Sequence, residues 1–276
     1  MMPLLQQNVT VAVGQLVGSD SVEQNLSRID EMAGNAARAH AKVIVFPEAV
    51  MYDFKVSAEQ LSSVAEAWSD RFDEEVSRIA SRHNLAIVAG SYSPAAQNKT
   101  KNCLVAFGPD GALLARYEKL HLYNAFSFRE SDKHDETPLQ PDASELKIID
   151  VAGFRFGLIN CYDLRFPEMS RLLIDRGADF LLVASGWVAG PLKDRQWEIL
   201  LKARAIENTC YVIASCQPAP LSVGLSMVVD PMGTTIAGIA ENEGVAVAEL
   251  SLERQRQVRE ILPCLSQRRY FFAPSA

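Results

Sequence analysis

The chain has 276 residues, 48% hydrophobic and 22% charged, with a formal net charge of −7 and a pI near 5.2. Such a composition supports a sizeable globular core and excludes collagen-like, disordered and membrane-embedded classes. The acidic balance argues against nucleic acid or an anionic membrane as the main partner, because phosphate recognition needs clustered Lys and Arg. Residues 1–8 carry no positive charge and no sustained apolar run, so no secretory signal is expected. No stretch is long and apolar enough to span a bilayer. Five cysteines, at 103, 161, 210, 216 and 264, form an odd set with no CxxC pair and no short Cys/His metal spacing, which points to a reducing cytoplasm. Cys103, Cys210 and Cys216 fall in apolar, strand-like runs and read as small buried hydrophobes.

In chain order, residues 9–17 form a β-rich run and residues 21–41 follow with helical spacing of Val22, Leu26, Ile29, Met32 and Ala36. Residues 42–46 are a short buried strand ending at Pro47-Glu48, completing a βαβ unit with a parallel strand pair. A second helix is predicted over 70–84, leading into a strand at 85–92, and 98–102 is a polar turn. Residues 103–107 and 112–117 flank Gly108-Pro109-Asp110-Gly111, a hairpin connection. Residues 128–143 are charged, carry Pro138 and Pro141, and read as a surface loop.

The pattern then recurs: strand 154–160, helix 167–177, strand 179–185, helix 194–208, strand 210–216 and a hairpin from 226–229 and 234–239. A last helix is predicted over 252–261, followed by a basic and aromatic tail at 267–276. Two halves of like element order predict two mixed sheets packed face to face, covered outside by helices, in one domain over 1–276. The repeat is architectural and not a short-period solenoid.

Cys161 stands where strand 154–160 turns towards the helix that Pro167 begins, a place where a side chain is exposed and backbone N–H groups can point at an anion. An inert turn cysteine is the commoner case there, and a reactive one needs a base or a positive field nearby. Glu48 occupies the corresponding place after strand 42–46, so the two strand ends can bring carboxylate and thiol into one crevice. Lys119 closes the run Tyr117-Glu118-Lys119-Leu120-His121-Leu122-Tyr123. On its own it would be a surface lysine; in a shared crevice its ammonium would favour a thiolate and stabilise an oxyanion.

Phe46-Pro47-Glu48-Ala49, Tyr117-Glu118-Lys119-Leu120-His121-Leu122-Tyr123 and Cys161-Tyr162-Asp163-Leu164-Arg165-Phe166-Pro167-Glu168 resemble, in order, the three motifs of the nitrilase (carbon-nitrogen hydrolase) superfamily. The resemblance covers nearly the whole chain, from Val11 to Arg269. It implies an α/β fold, a four-layer αββα sandwich of two mixed sheets, with Glu48, Lys119 and Cys161 as a catalytic triad. It also implies that Glu130, otherwise a loop charge, is a second active-site glutamate orienting Lys119. Within the superfamily the chain is most similar to the branch of deaminated glutathione amidases and ω-amidases, particularly the former. The implied reaction is hydrolysis of a small non-peptide amide through a cysteine thioester, releasing ammonia and a carboxylic acid, with no metal or organic cofactor.

Tyr52, Tyr162, Arg165 and Trp187 are candidate substrate contacts. For Tyr52 and Trp187 the competing reading is core packing; for Arg165 it is a structural ion pair. Cations at Arg129, Lys133, Arg165, Lys193 and Arg195 lie near the motifs and predict a carboxylate-bearing substrate. His121 reads as structural. The resemblance further implies a homodimer or higher homo-oligomer pairing through helices 167–177 and 194–208. Nitrile or N-carbamoyl hydrolysis on the same scaffold, and a catalytically silent binding protein, are the alternatives.

Overall fold

The computed structural model describes residues 7–271; residues 1–6, read above for a signal, and residues 272–276 of the expected tail lie outside them. The first half runs β1 (Asn8–Gln15), α1 (Val22–Arg38), β2 (Val43–Val45), α2 (Ala58–His83), β3 (Ala86–Pro94), β4 (Thr100–Phe107) and β5 (Leu113–Glu118). A small hairpin follows, β6 (Asn124–Ala125) and β7 (Phe128–Arg129). The second half runs β8 (Ile148–Val151), β9 (Phe154–Asn160), α3 (Pro167–Asp175), β10 (Phe180–Ser185), α4 (Lys193–Asn208), β11 (Val212–Cys216), β12 (Met227–Val229) and β13 (Thr235–Gly238). The chain closes with β14 (Gly244–Ser251) and α5 (Leu252–Ile261).

Two six-stranded sheets result, ordered β14-β1-β2-β3-β4-β5 and β13-β12-β11-β10-β9-β8. Each has three parallel strands at its heart, β1-β2-β3 and β9-β10-β11, because a helix returns the chain after each of the first two. Antiparallel strands flank both sets. The predicted recurrence of the two halves is therefore present in the topology. Alternation along the strands sorts the layers: Val11, Val13, Val45, Val88 and Leu104 share a core with Phe156, Leu158 and the second sheet. Ala12, Ile44, Ile87 and Val105 face the other way, under α1 and α2. Truncating a fully buried ring such as Phe156 removes ~3–5 kcal/mol of stability. Among the described residues no helix is long and apolar enough to cross a membrane.

The structure departs from the sequence reading in four places. Helix α2 starts at Ala58 and not at 70: Ser57 caps it by accepting from the Gln60 N–H at 3.2 Å, and Leu61 and Ala65 continue the buried face of Phe72 and Val76. Strand β14 was not anticipated; it leaves the second half and pairs antiparallel with β1, lacing the two ends of the chain together. The turn at 98–102 gives way to β4 already at Thr100. The loop at 128–143 is not wholly on the surface, since its first residues fold into β7 and a 3-10 turn that bury Glu130 and His134.

Candidate active site

The parallel strands β2 and β9 point their C-terminal ends at one cleft, lined by Glu48, Lys119, Glu130 and Cys161. After β2 the chain turns sharply at Ala49, whose φ of 60° is in the left-handed region. This turn lies directly on β3 at Gly90: a Cβ there would stand 2.2 Å from the Ala49 nitrogen, so only glycine allows the approach. The packing directs Glu48 inward. Its Oε1 accepts from Asn102 Nδ2 at 2.8 Å and Lys119 Nζ at 2.7 Å, while Oε2 accepts from the Gly186 N–H at 2.8 Å.

Lys119 leaves β5 with its N–H donated to the Asn102 carbonyl, and its side chain is only 2% exposed. Nζ donates to Glu48 and to both oxygens of Glu130, at 2.9 and 2.8 Å. Glu130 is fixed in turn by Asn102 Nδ2 at 2.8 Å and the Tyr123 N–H at 2.6 Å. Burial alone would pull the Lys119 ammonium down, but Glu130 and Glu48 hold it well above the usual lysine range. It stays charged.

Cys161 follows β9 with φ 50°, a left-handed conformation that costs a non-glycine residue about 1–3 kcal/mol and sets the buried thiol in the cleft wall at the strand end. Asp163, with no exposed surface, secures this turn: it accepts from the Tyr117 hydroxyl at 2.6 Å, the His121 N–H at 3.0 Å and His121 Nδ1 at 2.7 Å. Tyr117 and His121 flank Lys119, so one carboxylate ties the lysine segment to the cysteine turn. From α4, Arg204 donates to the Leu164 carbonyl at 2.7 and 3.1 Å on the far side. Burial, and then the Glu48 carboxylate, push the Cys161 thiol well above its usual range; Lys119 acts in the opposite sense and is outweighed. The resting sulfur is a thiol facing a carboxylate.

Of the candidate contacts, Tyr162, Arg165 and Trp187 line the cleft and Tyr52 does not. Tyr52 lies beyond the Ala49 turn in the core under α1 and α2, its hydroxyl accepting from Gln60 Nε2. Among the described residues Arg165 forms no ion pair; it donates to Gln196 Oε1 at 2.8 Å and lies 4.6 Å over the Trp187 ring. Lys193 and Lys133 also line the cleft, whereas Arg129 and Arg195 are exposed and do not. Lys193 Nζ donates to the Tyr123 hydroxyl at 2.9 Å and sits 4.4 Å from the Phe126 ring centroid. Lys133 donates to the Phe54 and Val56 carbonyls. Burial lowers the pKa of both lysines, and Arg165 lowers that of Lys193 further. His121 is held by Asp163 and stacked on Phe166, as its structural reading anticipates.

The sequence profile of the family described as carbon-nitrogen hydrolase matches residues 10–260. The chain belongs to the carbon-nitrogen hydrolase family. It is 35% identical over 265 residues to a deaminated glutathione amidase of Escherichia coli O157:H7, covering 96% of this chain and 98% of that protein. It is 34% identical to the human deaminated glutathione amidase over 271 residues, 94% of this chain and 82% of the relative. Among solved structures, the Caenorhabditis elegans NitFhit protein superposes with a TM-score of 0.85 at 28% identity, over 99% of this chain and 69% of that one. A cysteine-to-alanine mutant of the Nesterenkonia AN1 amidase, from the nitrilase superfamily, gives 0.81 at 25% identity over 95% of each chain. The fold is the nitrilase-superfamily αββα sandwich, and the protein is a carbon-nitrogen hydrolase.

Several residues of this hydrolase site escaped the sequence reading. Asn102 links both glutamates and accepts from Asn160 Nδ2 at 2.9 Å, joining the two sheets beneath the site. Its place in a polar run that resembles a turn concealed it. Asp163 lay inside a quoted motif without a role, and Arg204 appeared only as one charge of a helix. Gln217 donates to the Glu48 carbonyl at 2.8 Å from more than 150 residues away, a contact that no local spacing signals.

Proposed function

We propose that the protein is a cysteine amidase acting on a small carboxylate-bearing amide, with deaminated glutathione as the preferred substrate. The observation that carries the reading is the buried Glu48-Lys119-Glu130 array facing the Cys161 thiol across one cleft. Glu48 takes the thiol proton as sulfur adds to the amide carbonyl, so no free thiolate is needed beforehand. Lys119 and the N–H of Tyr162, the second residue of the 3-10 turn Cys161–Arg165, receive the oxyanion. Two of the three Lys119 contacts go to the one Glu130 carboxylate, so one N–H can turn to the oxyanion with both carboxylates still paired.

Protonated Glu48 then returns the proton to the departing nitrogen. A primary amide releases ammonia; the amides of deaminated glutathione are secondary, so there the leaving group is the amine of a dipeptide. Water, activated by Glu48, cleaves the thioester to the carboxylic acid and restores the thiol. Every bond of the cycle is made with groups of this chain and water.

The substrate class follows from charge. Arg165, Lys193 and Lys133 face the cleft, and none forms a salt bridge among the described residues. Arg165 and Lys193 are held close by the rings of Trp187 and Phe126 despite their repulsion. A substrate carboxylate relieves that repulsion and gains charge-assisted hydrogen bonds. Hydrolysis of deaminated glutathione, its esters and a neutral amide of similar length by the purified protein tests the proposal: equal kcat/KM for all three would remove the substrate assignment and leave the chemistry.

Ile199 and Ile206, 55% and 42% exposed one above the other on α4, form an apolar surface that supports a homodimer through α3 and α4. The five cysteines are all free, which supports a reducing, cytoplasmic setting. The shared core between the sheets favours one domain.

A further inference from the structure

One polar group in the cleft has no part in the scheme above. Tyr92 on β3 is fully buried, lines the cleft, and its phenol oxygen has no hydrogen-bond partner among the described residues. Leaving a buried hydroxyl unsatisfied is destabilising, so a phenylalanine would be the better residue if the ring were only filling space. The ring is held rigidly. Tyr92 is the β-partner of Asn102, which puts it on the same face of the sheet, beside the residue that grips both glutamates. On its other side His134 stacks at 5.6 Å with the planes 4° apart. His134 is itself fixed by Thr100 Oγ1, 2.7 Å from Nδ1, and burial lowers its pKa to about 3, so it presents a neutral ring. Burial, then the charges of Glu48 and Glu130, raise the pKa of the phenol, yet it is bonded to neither carboxylate. A donor-acceptor group beside the general base, without a protein partner, suits a small ligand with hydrogens to give and lone pairs to receive.

We propose that Tyr92 holds the hydrolytic water of the second half-reaction against Glu48. This inference rests on the cysteine-thioester reading. In the step, the water oxygen bonds to the thioester carbonyl carbon and its proton passes to Glu48. The carbon-sulfur bond then breaks and the sulfur regains the proton from Glu48. The phenol accepts the second hydrogen of the water or donates to its oxygen, fixing its direction of attack; His134 supports the ring and does not exchange protons at neutral pH.

The test is Tyr92→Phe, assayed on deaminated glutathione and on a small primary amide. Loss of water positioning slows deacylation alone, so kcat falls at least tenfold and KM falls with it, while kcat/KM, which reports acylation, stays within twofold. Acid-quenched intact-mass spectra then show acyl-Cys161 accumulating at steady state, and hydroxylamine, a nucleophile that needs less positioning, restores turnover. Because the removed oxygen has no partner, Tm should be unchanged or higher. Unchanged kcat, or a fall in kcat/KM without acyl-enzyme, overturns the proposal. His134→Asn, which loosens the same ring from behind, should give a weaker form of the same pattern and serves if Tyr92→Phe does not fold; wild-type values there also overturn it. A wild-type enzyme that never forms a thioester instead removes the underlying function, so the two failures are distinct.

Discussion

Glu48→Gln separates two effects that usually move together. The two carboxylates and one ammonium around the thiol carry a net charge of about −1, and the Glu48 charge raises the Cys161 pKa. Removing that charge must therefore lower the thiol pKa and shift the pH midpoint of Cys161 alkylation downwards. Turnover moves the other way, because the general base is gone: a loss of about 10²–10⁴ in kcat/KM, or about 3–5 kcal/mol of barrier. The amide is not an innocent isostere. Three donors, from Asn102, Lys119 and Gly186, converge on the two Glu48 oxygens, so a Gln NH₂ meets a donor in either orientation and destabilises the fold by about 1–3 kcal/mol. The assay is the iodoacetamide rate at Cys161 from pH 6 to 10, read by peptide mass, beside steady-state kinetics. An easier-to-ionise thiol in a nearly inactive enzyme is expected. A midpoint that stays or rises, or activity near wild type, would refute the electrostatic account; Lys119→Met, which removes the opposing charge, should shift the midpoint upwards.

Asp163→Ala leaves Tyr117, His121 and the cysteine turn without their common acceptor, so Tm should fall by several degrees and activity with it, measured by calorimetry and kinetics. Lys193→Met should lower kcat/KM for carboxylate-bearing amides about 10–100-fold, the equivalent of a ~1.5–3 kcal/mol charged hydrogen bond, and leave neutral amides unchanged. His134 titrates near 6.5 when unfolded and at about 3 when folded, so the unfolded state binds the extra proton as pH drops. Stability should decline from pH ~6.5 towards 3 by up to roughly 5 kcal/mol, and His134→Gln should flatten that slope in denaturant titrations. Ile199→Glu places a charge on the exposed α4 surface and should convert a dimer to monomer by light scattering.

The sheets were legible because their central strands are short apolar runs and their helices amphipathic, so β1 to β3 and β9 to β11 announce themselves locally. Strand β14 did not, since its partner β1 is more than 200 residues distant and most of its side chains are only partly buried. The start of α2 was blurred by Ser62, Ser63 and Ser69, whose polarity hides a buried face. At the site, Glu48, Lys119 and Cys161 could be picked out because strand ends and motif order mark them. Tyr52 was misplaced because sequence proximity to Glu48 says nothing of which side of the Ala49 turn a ring takes. Asn102 and Tyr92 stayed hidden for a related reason: their importance lies in cross-strand register, which exists only once β3 and β4 are paired.

The central claim is that Cys161 carries the acyl group. Purified protein is mixed with deaminated glutathione, quenched in acid during turnover, and its intact mass and peptide map are compared with those of Cys161→Ala, whose fold and Tm should match wild type. The account predicts an adduct of the mass of the acyl fragment, confined to Cys161, that forms and decays at rates matching kcat and is absent from the variant. Turnover by the Cys161→Ala protein, or wild-type turnover with the acyl group on another residue, would contradict it.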